Sequence, residues 1–72
     1  MKKNNKIKIR VNGKLIRIDH KTTLFKYIKK ITVPLNKVAI ELNHKIMDKN
    51  KLNKIELKNN DRIEIVHFIG GG

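Results

Sequence analysis

The sequence contains no cysteine, serine, glutamine or tryptophan. Without cysteine there is no disulfide, no thiolate metal site and no thiol nucleophile. Without serine there is no serine-based catalytic triad. Aromatic residues are few: Phe25, Tyr27 and Phe68. Three scattered rings make a poor platform for stacking on single-stranded nucleic acid. No stretch approaches the roughly 18 apolar residues of a membrane span. The first residues, Met1–Lys6, are charged, but no apolar segment follows them. A secretory signal is therefore not expected. Acidic side chains are also scarce, six against 18 Lys and Arg, which leaves a net charge of +12.

What is abundant is narrow in kind. Lys (15), Ile (12) and Asn (9) make up half of the 72 residues. The charge is uneven: residues 1–24 carry eight basic side chains against Asp19 alone. Basic chains often meet nucleic acid or acidic partners. Lys, Asn and Ile are also the residues of A/T-rich codons, and that bias accounts for most of the lysines. A chain this short is read as one domain. It buries only about 60% of its unfolded surface, which leaves little room for a deep catalytic cavity.

Hydrophobic spacing gives the order of elements. Ile7, Ile9 and Val11 alternate with Lys8 and Arg10, a strand with one buried face. Asn12-Gly13 is a strong hairpin signal, because both turn residues must take positive φ. Lys14 to Ile18 returns as the second strand. Thr22 and Thr23 are candidate helix caps. Leu24, Tyr27, Ile28 and Ile31 then repeat at helical spacing. Phe25 falls off that stripe and is expected to cover a hairpin edge. Pro34 disfavours helical geometry at Val33, so the helix should end near Ile31 or Thr32. Val38 to Leu42 reads as a third strand, and Ile46-Met47 as a very short one. Asp48 to Asn53 reads as a loop or helical turn anchored by Leu52, and Ile55 to Leu57 is ambiguous. Arg62 to Ile69 is the last strand, with Ile63 and Ile65 inward. It is expected in the sheet centre beside the first strand. A hairpin, a helix crossing one face and further strands give an α+β domain. The expected fold is a ubiquitin-like β-grasp over residues 1–72, a mixed four- to five-stranded sheet with one main helix.

No catalytic constellation is legible. His20, His44 and His67 are not at metal-ligand spacing. The six carboxylates stand singly among lysines, and no glycine-rich phosphate loop precedes a helix. Neither a catalytic residue nor a metal site is expected.

The sequence ends Gly70-Gly71-Gly72 directly after an apolar strand. Three glycines are expected to form a thin, flexible thread that can enter a channel too narrow for side chains. At its tip a carboxylate is available for a partner enzyme to activate. Val66 and Phe68 alternate away from the inward isoleucines and are candidates for docking that partner.

Together these segments resemble the small sulfur carrier family of bacterial and plastid thiamine biosynthesis. The resemblance rests on Val11-Asn12-Gly13-Lys14, on Thr23-Leu24-Phe25-Lys26-Tyr27-Ile28 and on Val38-Ala39-Ile40-Glu41-Leu42-Asn43. It ends with Asp61-Arg62-Ile63 and the tail Val66-His67-Phe68-Ile69-Gly70-Gly71-Gly72. It implies a protein co-substrate rather than an enzyme. A ubiquitin-activating-type enzyme would use ATP to adenylate the Gly72 carboxylate, and a persulfide donor would then leave a thiocarboxylate. Thiazole synthase would take that sulfur for the thiazole ring. The chain itself is expected to bind no cofactor, and to work in the cytoplasm or plastid stroma. Alternatives with the same chemistry are the small subunit of molybdopterin synthase and a tRNA-thiolation carrier. A small basic RNA-binding domain is the alternative from another class.

Overall fold

The computed structural model describes residues 5–68. Five strands form one mixed sheet: β1 (Lys6–Val11), β2 (Lys14–Asp19), β3 (Val38–Leu42), β4 (Lys45–Ile46) and β5 (Arg62–His67). Their spatial order is β2-β1-β5-β3-β4. Strands β1 and β5 run parallel, and the other neighbours are antiparallel. A single α-helix, α1 (Leu24–Lys30), lies on one face, with a 3-10 turn at Leu35–Lys37 and a 3-10 helix at Lys49–Lys54. This is the β-grasp arrangement, and the last strand sits in the middle as the sequence predicts.

Local chemistry explains the elements. Asn12 (φ 50°) and Gly13 (φ 83°) both take the left-handed conformation of a tight hairpin turn. Asn43 (φ 51°) and His44 (φ 72°) repeat that geometry between β3 and β4. Of the two candidate caps, Thr23 starts α1. Its Oγ1 accepts the Lys26 N–H at 3.1 Å. The helix is only seven residues long. The predicted stripe therefore runs off its end: Leu24, Tyr27 and Ile28 are buried, whereas Ile31 is the C-cap and is exposed. Thr32 follows at φ 58°, a left-handed conformation unusual for a β-branched residue.

One core lies between α1 and the sheet. Ile7, Ile9, Val11 and Ile18 enter it from the hairpin, Val38, Ile40 and Ile63 from β3 and β5. Leu24, Tyr27 and Ile28 close it from the helix, and Leu52 and Leu57 from the long connection. Leu52 thus anchors its segment as expected, in a 3-10 helix. The ambiguous Ile55–Leu57 stretch is held by backbone bonds to the start of α1. Ile55 accepts from Leu24 N–H at 2.8 Å, and Leu57 N–H donates to Thr22 at 2.9 Å. Phe25 departs from its expected place. It packs against the core beside Val33 and Leu35, with the Lys29 ammonium 5.6 Å from its ring centre. Among the described residues no buried side-chain polar atom lacks a partner. No helix among them is long and apolar enough to cross a membrane.

Candidate functional site

The strand that leads into the glycine run has a neighbour on each side. On one side β5 pairs with β3 from Leu42↔Ile63 to Val38↔His67. The pairing continues one residue further, where Phe68 N–H donates to the Lys37 carbonyl at 2.9 Å. On the other side β1 runs beside β5 only at Arg10↔Arg62 and Val11↔Ile63. There the β1 chain turns away into the hairpin.

Asn12 takes over where β1 stops. Its backbone N–H donates to Ile63 at 2.9 Å. Its side chain then spans Ile65 as a strand neighbour would. Oδ1 accepts the Ile65 N–H at 2.7 Å, and Nδ2 donates to the Ile65 carbonyl at 3.3 Å. The other tight-turn asparagine acts on the opposite flank. Asn43 Oδ1 accepts the Arg62 N–H and Nδ2 donates to Asp61 Oδ1, both at 2.9 Å. Two hairpin asparagines therefore clasp β5, Asn43 at its start and Asn12 at its middle. Sequence reasoning assigned Asn12 and Asn43 to turns and missed this second task. Asparagine tolerates positive φ and also carries an amide that matches a peptide edge. The available signal was asparagine rather than glycine at the first turn position.

Ile63 is fully buried and Ile65 is half-buried against the core, as predicted. The alternate positions point to the open face of the sheet. Val66, opposite Ala39, is 49% exposed, and Phe68 is 48% exposed. Both candidate docking residues thus present apolar surface at the end of β5. Lys49 Nζ sits 5.4 Å from the Phe68 ring centre and also donates to the Leu35 carbonyl. That contact places a cation over one face of the ring. Leu15 and Ile46 add exposed apolar surface elsewhere. By strand alternation and register, Leu15 opposite Arg10 and Ile46 opposite Glu41 share the open face. Gly70, Gly71 and Gly72, singled out by sequence, lie outside the described residues.

Electrostatic perturbation is sparse. Lys6 Nζ approaches Asp19 Oδ1 at 2.9 Å. That hydrogen bond and charge hold the Asp19 carboxyl below its ordinary value. Burial raises the Tyr27 hydroxyl pKa. Both groups are remote in sequence from β5. The three histidines are exposed and separate: His20 follows β2, His44 is in the β3–β4 turn, and His67 ends β5. Among the described residues no group of three His, Cys, Asp or Glu could hold a metal ion.

Known proteins share this arrangement. A crystal structure of the thiamine biosynthesis protein (ThiS) from Geobacter metallireducens superposes with a TM-score of 0.80 at 23% identity, covering 92% of this chain and all of that one. This likeness is one of fold. The solution structure of a thiamine biosynthesis protein from the same organism gives a TM-score of 0.72 at 25% identity, covering 92% of this chain and 88% of that one. In sequence, the chain is 35% identical over 66 residues to a thiazole synthase of Magnetococcus marinus, covering 92% of this chain. It is 49% identical over 35 residues, 49% of its length, to the sulfur carrier protein ThiS of Bacillus subtilis. It spans about a fifth of the former protein (20%) and about half of the latter (53%). The ThiS family model matches residues 9–72, from inside β1 through the Asn12 clasp and β5 to the final glycine; the chain belongs to the ThiS family.

Proposed function

We propose that this chain is a sulfur carrier of thiamine biosynthesis, and that Gly72 is its loading site. The Gly72 carboxylate attacks the α-phosphate of ATP on a ubiquitin-activating-type enzyme. Pyrophosphate leaves and an acyl-adenylate forms. A persulfide donor attacks the activated carbonyl and displaces AMP. After the donor's sulfur–sulfur bond is reduced, a thiocarboxylate remains on Gly72. Thiazole synthase then accepts that sulfur. Adenylation matters because it replaces a poor leaving group with AMP. The carrier contributes no catalytic side chain, and ATP belongs to the activating partner.

The observation that carries this proposal is the family match over residues 9–72, which includes the glycine run. The relatives support it: one is a sulfur carrier and another a thiazole synthase. Both compared structures are thiamine biosynthesis proteins. These names favour thiazole over the molybdopterin and tRNA-thiolation alternatives. The geometry supports it too. β5 is held by β1 and Asn12 as far as Ile65 and by β3 and Lys37 through Phe68, which gives a root from which to present a terminus. Val66 and Phe68, exposed at that root, are the proposed contact residues. The A/T-codon composition supports a cytoplasmic or plastid-stroma setting.

Intact-mass spectrometry tests the proposal. The chain is incubated with an adenylating enzyme, ATP, a persulfide source and reductant. The expected product is heavier by about 16 Da, one oxygen exchanged for sulfur. An unchanged mass, with the enzyme active on a known carrier, contradicts it.

A further inference from the structure

An open groove of about 680 Å³ lies between the β2–α1 connection and α1. Lys21 and Thr22 line it from the connection, and Lys26, Tyr27, Lys29 and Lys30 from the helix. Local chemistry builds both walls. Thr22 donates to the Asp19 carbonyl twice, through its N–H at 3.3 Å and its Oγ1 at 2.6 Å. The turn so formed holds Lys21 at φ 69°, a left-handed conformation uncommon for lysine. On α1, Lys26 and Lys30 are four residues apart and so share a face, where like charges repel.

Tyr27 distinguishes the groove from a merely basic surface. It is only 5% exposed, and its ring belongs to the core. Yet its hydroxyl has no hydrogen-bond partner among the described residues. No fully buried polar side-chain atom there lacks a partner, so this hydroxyl reaches the surface. The groove is the cavity that Tyr27 lines. Burial raises the hydroxyl pKa, so it remains a donor at neutral pH.

The cations lack an anion. Among the described residues the one ion pair within 4.0 Å is Lys6–Asp19, so the carboxylate on the groove is already engaged from outside it. Lys29 has the Phe25 ring 5.6 Å away. Lys21, Lys26 and Lys30 are exposed and unpaired. Their chemistry selects the ligand. An ammonium is a compact point charge suited to phosphate oxygens. No arginine lines the groove to fork a planar carboxylate. Its one aromatic ring is buried, which leaves no face on which a base could stack. Cations on two walls, together with a hydroxyl donor, suit an anion of more than one phosphate.

We propose that the groove between the β2–α1 turn and α1 binds linked phosphates, as free pyrophosphate or as the phosphate chain of a nucleotide, through Lys21, Lys26, Lys30 and the Tyr27 hydroxyl. The site needs neither the glycine run nor a partner protein, so it stands or falls apart from the carrier reading.

The full chain is titrated with inorganic pyrophosphate in about 50 mM NaCl, followed by calorimetry and residue-resolved amide shifts. Binding should saturate at one site, with the shifts centred on residues 20–30. Lys26→Gln/Lys30→Gln should weaken it at least about tenfold. Lys14→Gln/Lys45→Gln removes the same charge from exposed positions outside the groove and should change affinity less than about twofold. Tyr27→Phe keeps the ring and should weaken binding about two- to tenfold with its thermal transition retained. ADP that matches pyrophosphate marks the free diphosphate as the source, and ADP that binds more tightly marks a nucleotide; both support the site. Equal weakening by the two lysine pairs reduces the binding to net charge and overturns the proposal. Unchanged affinity in Tyr27→Phe overturns it too. A short single-stranded RNA that displaces pyrophosphate and binds far more tightly assigns the groove to nucleic acid instead.

Discussion

Replacing Asn12 with glycine separates its two tasks. Glycine takes the φ of 50° without cost, so the turn survives. The clasp is lost: the bond from Ile65 N–H at 2.7 Å and the bond to its carbonyl at 3.3 Å both disappear. Each is worth about 0.5–1.5 kcal/mol net, and the exposed site lets water replace part of that. A further loss of about 0.5 kcal/mol comes from the greater freedom of glycine in the unfolded chain. The expected destabilisation is about 2 kcal/mol. For a domain of this size that lowers Tm by roughly 8–16 °C. The loss should also be local. The Ile65 amide should lose at least about tenfold of its hydrogen-exchange protection beyond the global change. Asn12→Asp keeps the acceptor for Ile65 N–H but not the donor, and should fall between glycine and wild type. Thermal unfolding and residue-resolved exchange are the assays. A loss below about 0.5 kcal/mol with Ile65 protection intact would show that β3 alone holds this end of β5.

Other perturbations probe separate parts of the account. Thr32→Gly should stabilise by about 0.5–1 kcal/mol, since a left-handed φ of 58° strains a β-branched residue; a lower urea midpoint would contradict this. Leu52→Ala removes a fully buried side chain and should cost about 2–5 kcal/mol, a large share of the stability of so small a domain; a Tm within a few degrees of wild type would show the 3-10 segment to be a dispensable cover. Lys6 holds the Asp19 pKa below 3.8, so the pair stabilises above the unfolded value and that contribution fades as pH falls through the folded one. Lys6→Ala should therefore flatten the Tm–pH curve below about pH 4 and leave its neutral shape unchanged; an unaltered acid limb would refute the coupling. Phe68→Asp should leave Tm within a few degrees, because the ring is half exposed, yet raise KM for adenylation; unfolding would place Phe68 in the core instead.

Much of this fold is written in local chemistry. Asn12-Gly13 specifies its turn because two positive φ values are costly for most residues. Thr23 announces the helix start because a hydroxyl satisfies an otherwise orphan N–H. The alternation around Ile63 and Ile65 identifies the inward face of β5. What escaped the sequence is non-local. The Asn12 side chain meets a residue 53 positions away, and spacing along the chain carries no trace of that partner. Phe25 falls off the helical stripe, yet it lines one shallow cavity with Val33 and Leu35, which lie beyond the helix end. The lysine groove was equally hidden. Net charge counts Lys21 and Lys30 separately, whereas the turn after β2 sets both on one cavity. The 3-10 turn at Leu35–Lys37 also escaped, since three residues after a proline show no periodicity.

The central claim is that the folded body presents a bare main-chain terminus for sulfur loading. Sulfur transfer to thiazole synthase by Gly71→Val, with the fold verified by its thermal transition, tests that claim most directly. A side chain at this position should block entry into the activating channel and abolish thiocarboxylate formation while leaving Tm unchanged. Sulfur delivery at the wild-type rate would contradict the account.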